Sequence, residues 1–269
     1  MTEAQTLLET ARALQGQAPA RTFRSLHHFA CTGGTLISRG IAALPNTLVL
    51  SEVDPLSPMT GTRFVPTDLI GLIRHGSRPM PEDVLVAVFR AGLEALLAET
   101  HARGLRLVLR DHAHSQFCQG AAIPDRPTLR EMLPQPLRSM VSVRHPLDSW
   151  LSLLKRDWVR LEPATLEEYG RRYLAFLDRH ADCEVLRYED FVADAETAMQ
   201  RLCAGLDLAY DPGFRDGFAA IALSGDSGRR GDTIAPRPRH TVPQRVAEEA
   251  AASPAYGVLC ARLGYDPAP

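Results

Sequence analysis

The sequence lacks several features that would place the chain in a membrane or outside the cell. No continuous apolar run approaches the roughly 18 residues that a membrane-spanning helix requires. The first 20 residues carry acids where a secretory signal needs lysines, and they have no unbroken apolar core. The five cysteines are scattered, odd in number and without a Cys-x-x-Cys spacing, which is typical of a reducing compartment and not of a zinc site. These absences predict a cytoplasmic protein without a membrane span and without a metal.

An excess of basic charge is also missing. The chain has 30 Lys+Arg against 32 Asp+Glu, which gives a formal net charge of −2 at pH 7. Such a balance provides no global positive field to hold a polyanion, so we expect no nucleic-acid partner. The sequence gives no prediction of the oligomeric state.

What is present is the composition of an ordinary globular protein, with 45% hydrophobic and 23% charged residues over 269 positions. Strand patterns are predicted at 24–30, 47–50, 105–109, 138–143 and 185–186, and helices at 35–43, 82–102, 146–158, 165–180 and 194–205. This alternation predicts a single α/β domain over 1–269, with a parallel sheet and helices on both faces. Residues 1–20 are predicted to be a helical extension and 223–269 an irregular tail, while 51–81 and 113–136 are proline-rich excursions.

The first motif that carries chemistry is Thr32-Gly33-Gly34-Thr35, between a predicted strand and a predicted helix. A glycine pair at such a turn lets backbone N–H groups approach a ligand closely, and the helix N-terminus adds a partial positive charge. This combination suits a phosphate. The phosphate-binding pattern GxxxxGK[ST] is absent, since no lysine follows. The competing interpretation is a tight strand–helix turn without a ligand.

The second motif is the segment from Val141 to Ser152, in which a predicted strand delivers Arg144 at its carboxyl end. Ligands of open α/β sheets bind at that end. Pro146 suits the first turn of a helix, and Ser152 follows two turns later. An arginine fork with a hydroxyl would hold a second phosphate, although a strand-end salt bridge would also explain the arginine.

Two further segments could complete a nucleotide site. Tyr188 follows another predicted strand, where an aromatic ring can pack on a nucleobase; taken alone, the residue is better explained as a tyrosine of the core. Near the C-terminus, Arg229, Arg230 and Gly231 lie in a loop rich in glycine and serine. Adjacent arginines on such a loop suit a clamp that closes over an anion, or simply a solvated surface loop.

In order and setting, these segments resemble the sulfotransferases that use 3′-phosphoadenosine 5′-phosphosulfate (PAPS) as donor. Cys31–Leu36 is similar to the loop of that family that binds the 5′-phosphosulfate, and Arg144 and Ser152 match the pair that holds the 3′-phosphate. Tyr188 matches the tyrosine near the adenine. The resemblance therefore implies a P-loop-like α/β fold, PAPS as co-substrate and adenosine 3′,5′-bisphosphate (PAP) as product. The residues that it assigns to the nucleotide are Thr32, Gly33, Gly34, Thr35, Leu36, Arg144, Ser152, Tyr188, Arg229, Arg230 and Gly231.

Sulfuryl transfer also needs a base for the proton of the acceptor and a cation for the leaving group. By resemblance to the strand-end Lys-Thr-His of the cytosolic branch, His112 is the base and Arg110 takes the position of the lysine. The branch that acts on protein tyrosines uses a glutamate soon after the second strand, so Glu52 is the rival base. Cys31 stands where the family has a lysine or arginine, and we expect Arg110 to supply the missing charge.

Two other functions stay open at this point. One is a small-molecule kinase on a related fold, against which the missing lysine and the lack of an evident Mg²⁺-binding pair count. The other is a nucleotide-binding protein without catalysis, which Cys31 favours. The acceptor is expected to be a small molecule, a saccharide or a peptide, and the excursions at 53–81 and 113–136 are predicted to form its pocket.

Overall fold

The computed structural model describes residues 21–59, 67–78, 80–223, 233–239 and 241–268. The strands of this part are β1 (Phe23–His28), β2 (Thr47–Val53), β3 (Arg106–Asp111), β4 (Gln119–Gly120), β5 (Leu137–Val143), β6 (Arg160–Leu161) and β7 (Glu184–Arg187). Five of them form one parallel sheet in the order β2-β3-β1-β5-β7, and β4 and β6 form a small second sheet. The predicted parallel sheet is confirmed.

The described helices are α1 (Gly34–Ala42), α2 (Leu69–Arg74), α3 (Glu82–Ala102), α4 (His114–Phe117), α5 (Leu129–Met132), α6 (Pro146–Lys155), α7 (Leu166–Arg179), α8 (Tyr188–Ala193), α9 (Ala195–Leu206), α10 (Phe214–Gly217), α11 (Gln244–Ala252) and α12 (Pro254–Leu263), with a 3₁₀ turn at Phe218–Ala220. Helix α6 ends three residues earlier than predicted. There Asp157 adopts a left-handed φ of 53°, and the N–H of Trp158 donates back to the Leu153 carbonyl at 3.1 Å. This closes the helix in the manner of a C-terminal cap.

Helices cover both faces of the sheet, as predicted. On β5, Met140 packs into one apolar cluster with Leu202 of α9, whereas Val141 and Val143 pack into another with Trp150 of α6. The alternation follows from the two-residue period of a strand. Both clusters are buried, so the sheet lies at the centre of the core.

The prediction of an irregular tail over 223–269 is wrong for residues 244–263. Helices α11 and α12 occupy this stretch and bury Val246, Leu259 and Leu263 in the core cluster that contains Trp150. Pro254 does not interrupt this stretch, because it occupies the first turn of α12 behind the Ser253 cap, where proline is favoured. The apolar side chains of α11 and α12 recur at helical spacing, which is the signal that the proline content concealed.

Some predicted segments lie outside the described residues: the N-terminal extension over 1–20, part of the 51–81 excursion, and the loop with Arg229, Arg230 and Gly231. The described part of the excursion is not wholly at the surface, because Leu56 packs into a small buried cluster with Leu85. None of the helices among the described residues combines the length and the apolar character needed to cross a membrane.

Candidate active site

The candidate site lies at the edge of the sheet where the parallel strands end. The loop around Gly33 follows β1 and Arg144 follows β5, while Glu52 and Arg110 lie near the ends of β2 and β3. All four border one cavity of about 650 Å³. Because the carboxyl ends of parallel strands meet at one edge, this convergence is what the fold class predicts.

The loop between β1 and α1 is shaped for a close approach by a ligand. Gly33 precedes α1 with a left-handed φ of 87°, and the helix has no acidic residue in its first turn. The buried Thr32 hydroxyl donates to the Phe29 carbonyl at 2.8 Å, which fixes the start of the loop. The first N–H groups of any helix lack intrahelical partners, so this end of α1 is suited to an oxyanion.

Gly33 is expected to tolerate no side chain. A Cβ there would overlap the ring of Tyr188, and the substituted residue would have to adopt a left-handed backbone conformation as well. Gly33→Ala should therefore lower the free energy of unfolding by about 1–3 kcal/mol, measured by urea denaturation.

Alanine variants of two other glycines separate the effect of the overlap with Tyr188 from the effect of backbone strain. Gly104→Ala has a similar φ of 74° and no atom within 4 Å of the new Cβ, so it tests backbone strain alone. Gly92→Ala in α3 also meets no atom within 4 Å and should leave stability unchanged or slightly higher. Equal stability for all three variants would contradict the packing of Tyr188 on Gly33.

The predicted 3′-phosphate pair is assembled in the structure. Arg144 Nη1 donates to Ser152 Oγ at 3.3 Å, and the Arg144 guanidinium lies 5.0 Å from the centroid of the Tyr188 ring. The Nε of Arg144 is buried and finds no hydrogen-bond partner among the described residues. A buried donor of this kind normally has a partner, which a bound anion would supply. Tyr188 does not border the cavity itself; its ring packs between Gly33 and Arg144.

Arg110 is buried and reaches the loop. Its guanidinium donates to Thr35 Oγ1 at 2.9 Å and to His28 Nε2 at 2.9 Å, and its Nη1 lies 2.6 Å from Glu52 Oε1. Strand β3 pairs with β1, with Leu26 opposite Arg110, and this register carries Arg110 to the loop after β1. The expectation that the strand of Arg110 ends beside the loop is confirmed.

Glu52 and His112, the two rival bases, are neighbours. Glu52 Oε2 lies 3.0 Å from His112 Nε2. Burial raises the pKa of Glu52 to about 7 although Arg110 opposes the shift, and burial lowers the pKa of His112 to about 4. Near neutral pH the imidazole is therefore neutral, and Glu52 is the member of the pair that titrates in this range.

His114 also borders the cavity. Its ring centroid lies 3.8 Å from that of His112. One ring nitrogen of His114, one of His112 and a carboxylate oxygen of Glu52 lie within 4.8 Å of one another, a spacing that could hold a metal ion. Among the described residues, His27, Asp111 and His180 form a second group with this spacing. Two imidazoles and one carboxylate are donors for zinc or iron, whereas Mg²⁺ prefers oxygen. Neither group resembles the Mg²⁺ site of a phosphoryl-transfer enzyme.

His27 and His28 point to opposite sides of β1, as adjacent strand residues do. Both are buried. His27 Nδ1 lies 2.7 Å from Asp111 Oδ2, so the two residues form a buried histidine–carboxylate pair. His28 accepts a hydrogen bond from Arg110 at Nε2, and burial together with Arg110 lowers its pKa well below the usual range. Neither histidine is a cation at the site.

The outer wall of the cavity is formed by Met59, Gln119, Arg156, Trp158 and Arg160. Met59 and Gln119 lie in the two excursions that were predicted to form the acceptor pocket, whereas sequence reasoning missed the three residues that follow Ser152. One signal was present, since Arg156 lies four residues after Ser152 and therefore on the same face of α6. The others come from the turn after α6 and from the β4–β6 sheet, whose pairing the local sequence does not reveal.

No protein-family model and no curated protein sequence matches this chain. Among solved structures, it is similar to the sulfotransferase domain of the olefin synthase of Synechococcus PCC 7002, with a TM-score of 0.59 and 17% identity over 91% of this chain and 95% of that one. It is also similar to the sulfotransferase domain from the curacin biosynthetic pathway, with a TM-score of 0.54 and 15% identity over 91% of this chain and 98% of that one. The chain thus has the sulfotransferase fold, and the resemblance first seen in the motifs is confirmed for the fold.

Proposed function

We propose that this protein is a PAPS-dependent sulfotransferase that moves a sulfuryl group to a hydroxyl or amine of an acceptor. The observation that carries the proposal is the convergence of two oxyanion-binding arrangements and a Glu–His pair on one cavity. One arrangement is the loop from Thr32 to Leu36, and the other is Arg144 with Ser152. A donor with a phosphate at each end of its ribose would occupy both.

The residues present fit this donor. The loop has no side chain at Gly33 and Gly34, where a Cβ would meet Tyr188 and His28, so backbone N–H groups can reach the 5′-phosphosulfate. The unpartnered Nε of Arg144 is a donor for the 3′-phosphate. In this proposal, Tyr188 supports the adenine subsite, and Arg229, Arg230 and Gly231 clamp the 3′-phosphate from outside the described residues.

The Glu52–His112 pair takes the proton of the acceptor. His112 is neutral at physiological pH, and Glu52 Oε2 can receive the proton that the imidazole accepts. A base whose pKa lies near the working pH is suited to general-base catalysis, and the pKa of Glu52 lies at about 7. One branch of the resembled family uses a histidine as the base and the other uses a glutamate. In this proposal the two groups act together as one pair.

Arg110 stabilises the charge that develops on the leaving phosphate. Its hydrogen bond to Thr35 and its burial place a permanent cation beside the loop. Cys31 cannot provide that charge, because a thiol has no cationic form; burial raises its pKa to about 11 and keeps it neutral. The charge that the family places in the loop is therefore supplied in this chain from β3.

We also propose that the reaction takes place in the cytoplasm. All five cysteines are free thiols, which fits the reducing cytoplasm. The acceptor is a small molecule, a saccharide or a peptide that enters the cavity from the wall formed by Met59 and Trp158.

The 3′-phosphate subsite gives a direct test of the donor. PAP should bind at least about tenfold more tightly than AMP, because a charge-assisted arginine contact contributes about 1.5–3 kcal/mol. Isothermal titration calorimetry measures both affinities. Arg144→Ala should remove the preference, whereas Arg138→Ala, at the start of the same strand β5, should keep it. Equal affinities for PAP and AMP in the unchanged protein would remove the 3′-phosphate assignment.

A further inference from the structure

The outer wall of the cavity carries more positive charge than the donor site uses. Four arginines border the cavity within the described part of the chain, namely Arg110, Arg144, Arg156 and Arg160, against one carboxylate, Glu52. Arg110 is paired with that carboxylate, and Arg144 belongs to the 3′-phosphate subsite. Arg156 and Arg160 are left without a lining acid, so this wall suits a ligand with a negative charge.

Arg156 is held between the donor site and the outer wall. It lies one turn after Ser152 on α6, so both side chains are on the same face of the helix. Its guanidinium lies 5.0 Å from the ring centroid of Trp158, a cation–π distance. The charge of Arg156 also acts on the thiol of Cys31, in the loop that receives the 5′-phosphosulfate. Arg156 is therefore close to the place where the acceptor must meet the donor.

Apolar side chains lie beside these two arginines. Trp158 is 45% exposed and Met59 is 48% exposed, a high exposure for such large apolar groups. Arg160 is opposite Gln119 in the β4–β6 pair, and the Gln119 amide contacts the Met59 sulfur at 3.5 Å. The left-handed Asp157 and the hydrogen bond from Trp158 N–H to Leu153 fix the backbone that carries Arg156 and Trp158. The wall thus combines an apolar surface with two cationic side chains.

We infer that the acceptor is an apolar hydroxy compound with an oxyanion group such as a carboxylate. Arg156 and Arg160 bind the oxyanion, while Trp158 and Met59 contact the apolar body. The inference rests on the proposed function. The acceptor oxygen forms a bond to the sulfur of the donor, the bond between that sulfur and the 5′-phosphate oxygen breaks, PAP leaves with the bonding electrons, and the acceptor proton passes to the Glu52–His112 pair.

Binding to the protein saturated with PAP tests this inference without requiring turnover. The probes are para-hydroxyphenylacetate and hydroxydecanoate, each compared by calorimetry with its methyl ester. At least one acid should bind about tenfold more tightly than its ester, the advantage expected of a charge-assisted contact. Arg156→Gln should abolish that preference and Arg160→Gln should reduce it, whereas Lys155→Gln, the exposed neighbour on α6, should leave it unchanged. The tryptophan fluorescence of the protein should change when the acid is added, and this change should be absent in Trp158→Phe.

Several results would overturn the inference. The inference is wrong if the esters bind as tightly as the acids, if the preference for the acid survives in both arginine variants, or if no probe binds measurably. PAP affinity must stay within about twofold in Arg156→Gln, because a tenfold loss would assign Arg156 to the nucleotide site. Such a loss would leave the proposed function intact. Failure of the unchanged protein to bind PAP would instead refute the proposed function itself.

Discussion

Replacement of Arg110 with methionine is expected to lower turnover by about 10²–10³-fold, the usual cost of removing one preorganised stabiliser of developing charge. Arg110 is buried, donates to Thr35 in the loop after β1, and neutralises Glu52. The variant loses the cation beside the leaving phosphate and at the same time leaves a buried carboxylate unpaired, which raises the pKa of Glu52 further. The measurement is kcat under saturating PAPS, with PAP affinity determined separately.

Three matched variants make this result specific. Arg106→Met lies at the other end of β3 and should leave turnover unchanged. Arg110→Lys keeps a charge but not the fork that contacts Thr35, His28 and Glu52 together, so its turnover should be intermediate. Cys31→Ala should be mild, because its neutral thiol offers little to an anion. A folded Arg110→Met protein with full turnover, or a Cys31→Ala protein as impaired as Arg110→Met, would show that the cation has been misassigned.

Removal of either member of the Glu52–His112 pair is expected to lower turnover by about 10²–10⁴-fold, the contribution of a positioned base. The variants are Glu52→Gln and His112→Ala. The double variant should be little worse than either single one, because groups that act as a unit give non-additive losses. PAP affinity should change little in all three, since the pair faces the acceptor. Additive losses would mean that the two residues act independently.

The pH dependence of the same reaction has a defined direction. The pair is a base only while it can accept a proton, and the pKa of Glu52 is raised to about 7 by burial. We therefore expect kcat/KM to rise with pH up to about 7 and to level off above that value. In Glu52→Gln the remaining base is His112, whose pKa lies at about 4. The rising limb should move towards acidic pH, and an unchanged profile would contradict the role of Glu52.

The sequence predicted the parts of the site that depend on one local segment. The loop from Thr32 to Thr35, and Arg144 with Ser152, each combine a strand end, a turn and a helix start in a short stretch. Their suitability for an oxyanion follows from that local geometry, because ligands bind at the carboxyl ends of parallel strands and helix N-termini attract anions. Helix α3 was predicted with its observed bounds for the same reason, since its start and end signals are local.

The features that the sequence did not predict depend on contacts between distant segments. Glu52 and His112 were predicted as rival bases from two branches of the resemblance, and nothing local shows that β2 and β3 are neighbours, with Val53 opposite Asp111. The register shifts between Leu50 and Val53, and Glu52 takes a left-handed φ of 61°, at the point where its carboxylate reaches Arg110 and His112. Helices α11 and α12 were missed because prolines dominated the interpretation of the C-terminal region.

Transfer of radioactive sulfur from labelled PAPS tests the central claim most directly. The protein is incubated with labelled PAPS and a panel of hydroxy acids and neutral alcohols, and in parallel with ATP labelled at the γ-phosphate and Mg²⁺. The account predicts labelled sulfate on at least one acceptor, formation of PAP, loss of both in Glu52→Gln and Arg110→Met, and no transfer from ATP. Transfer of the γ-phosphate instead, or tight binding of PAP with no sulfated product from any acceptor in the panel, would contradict it.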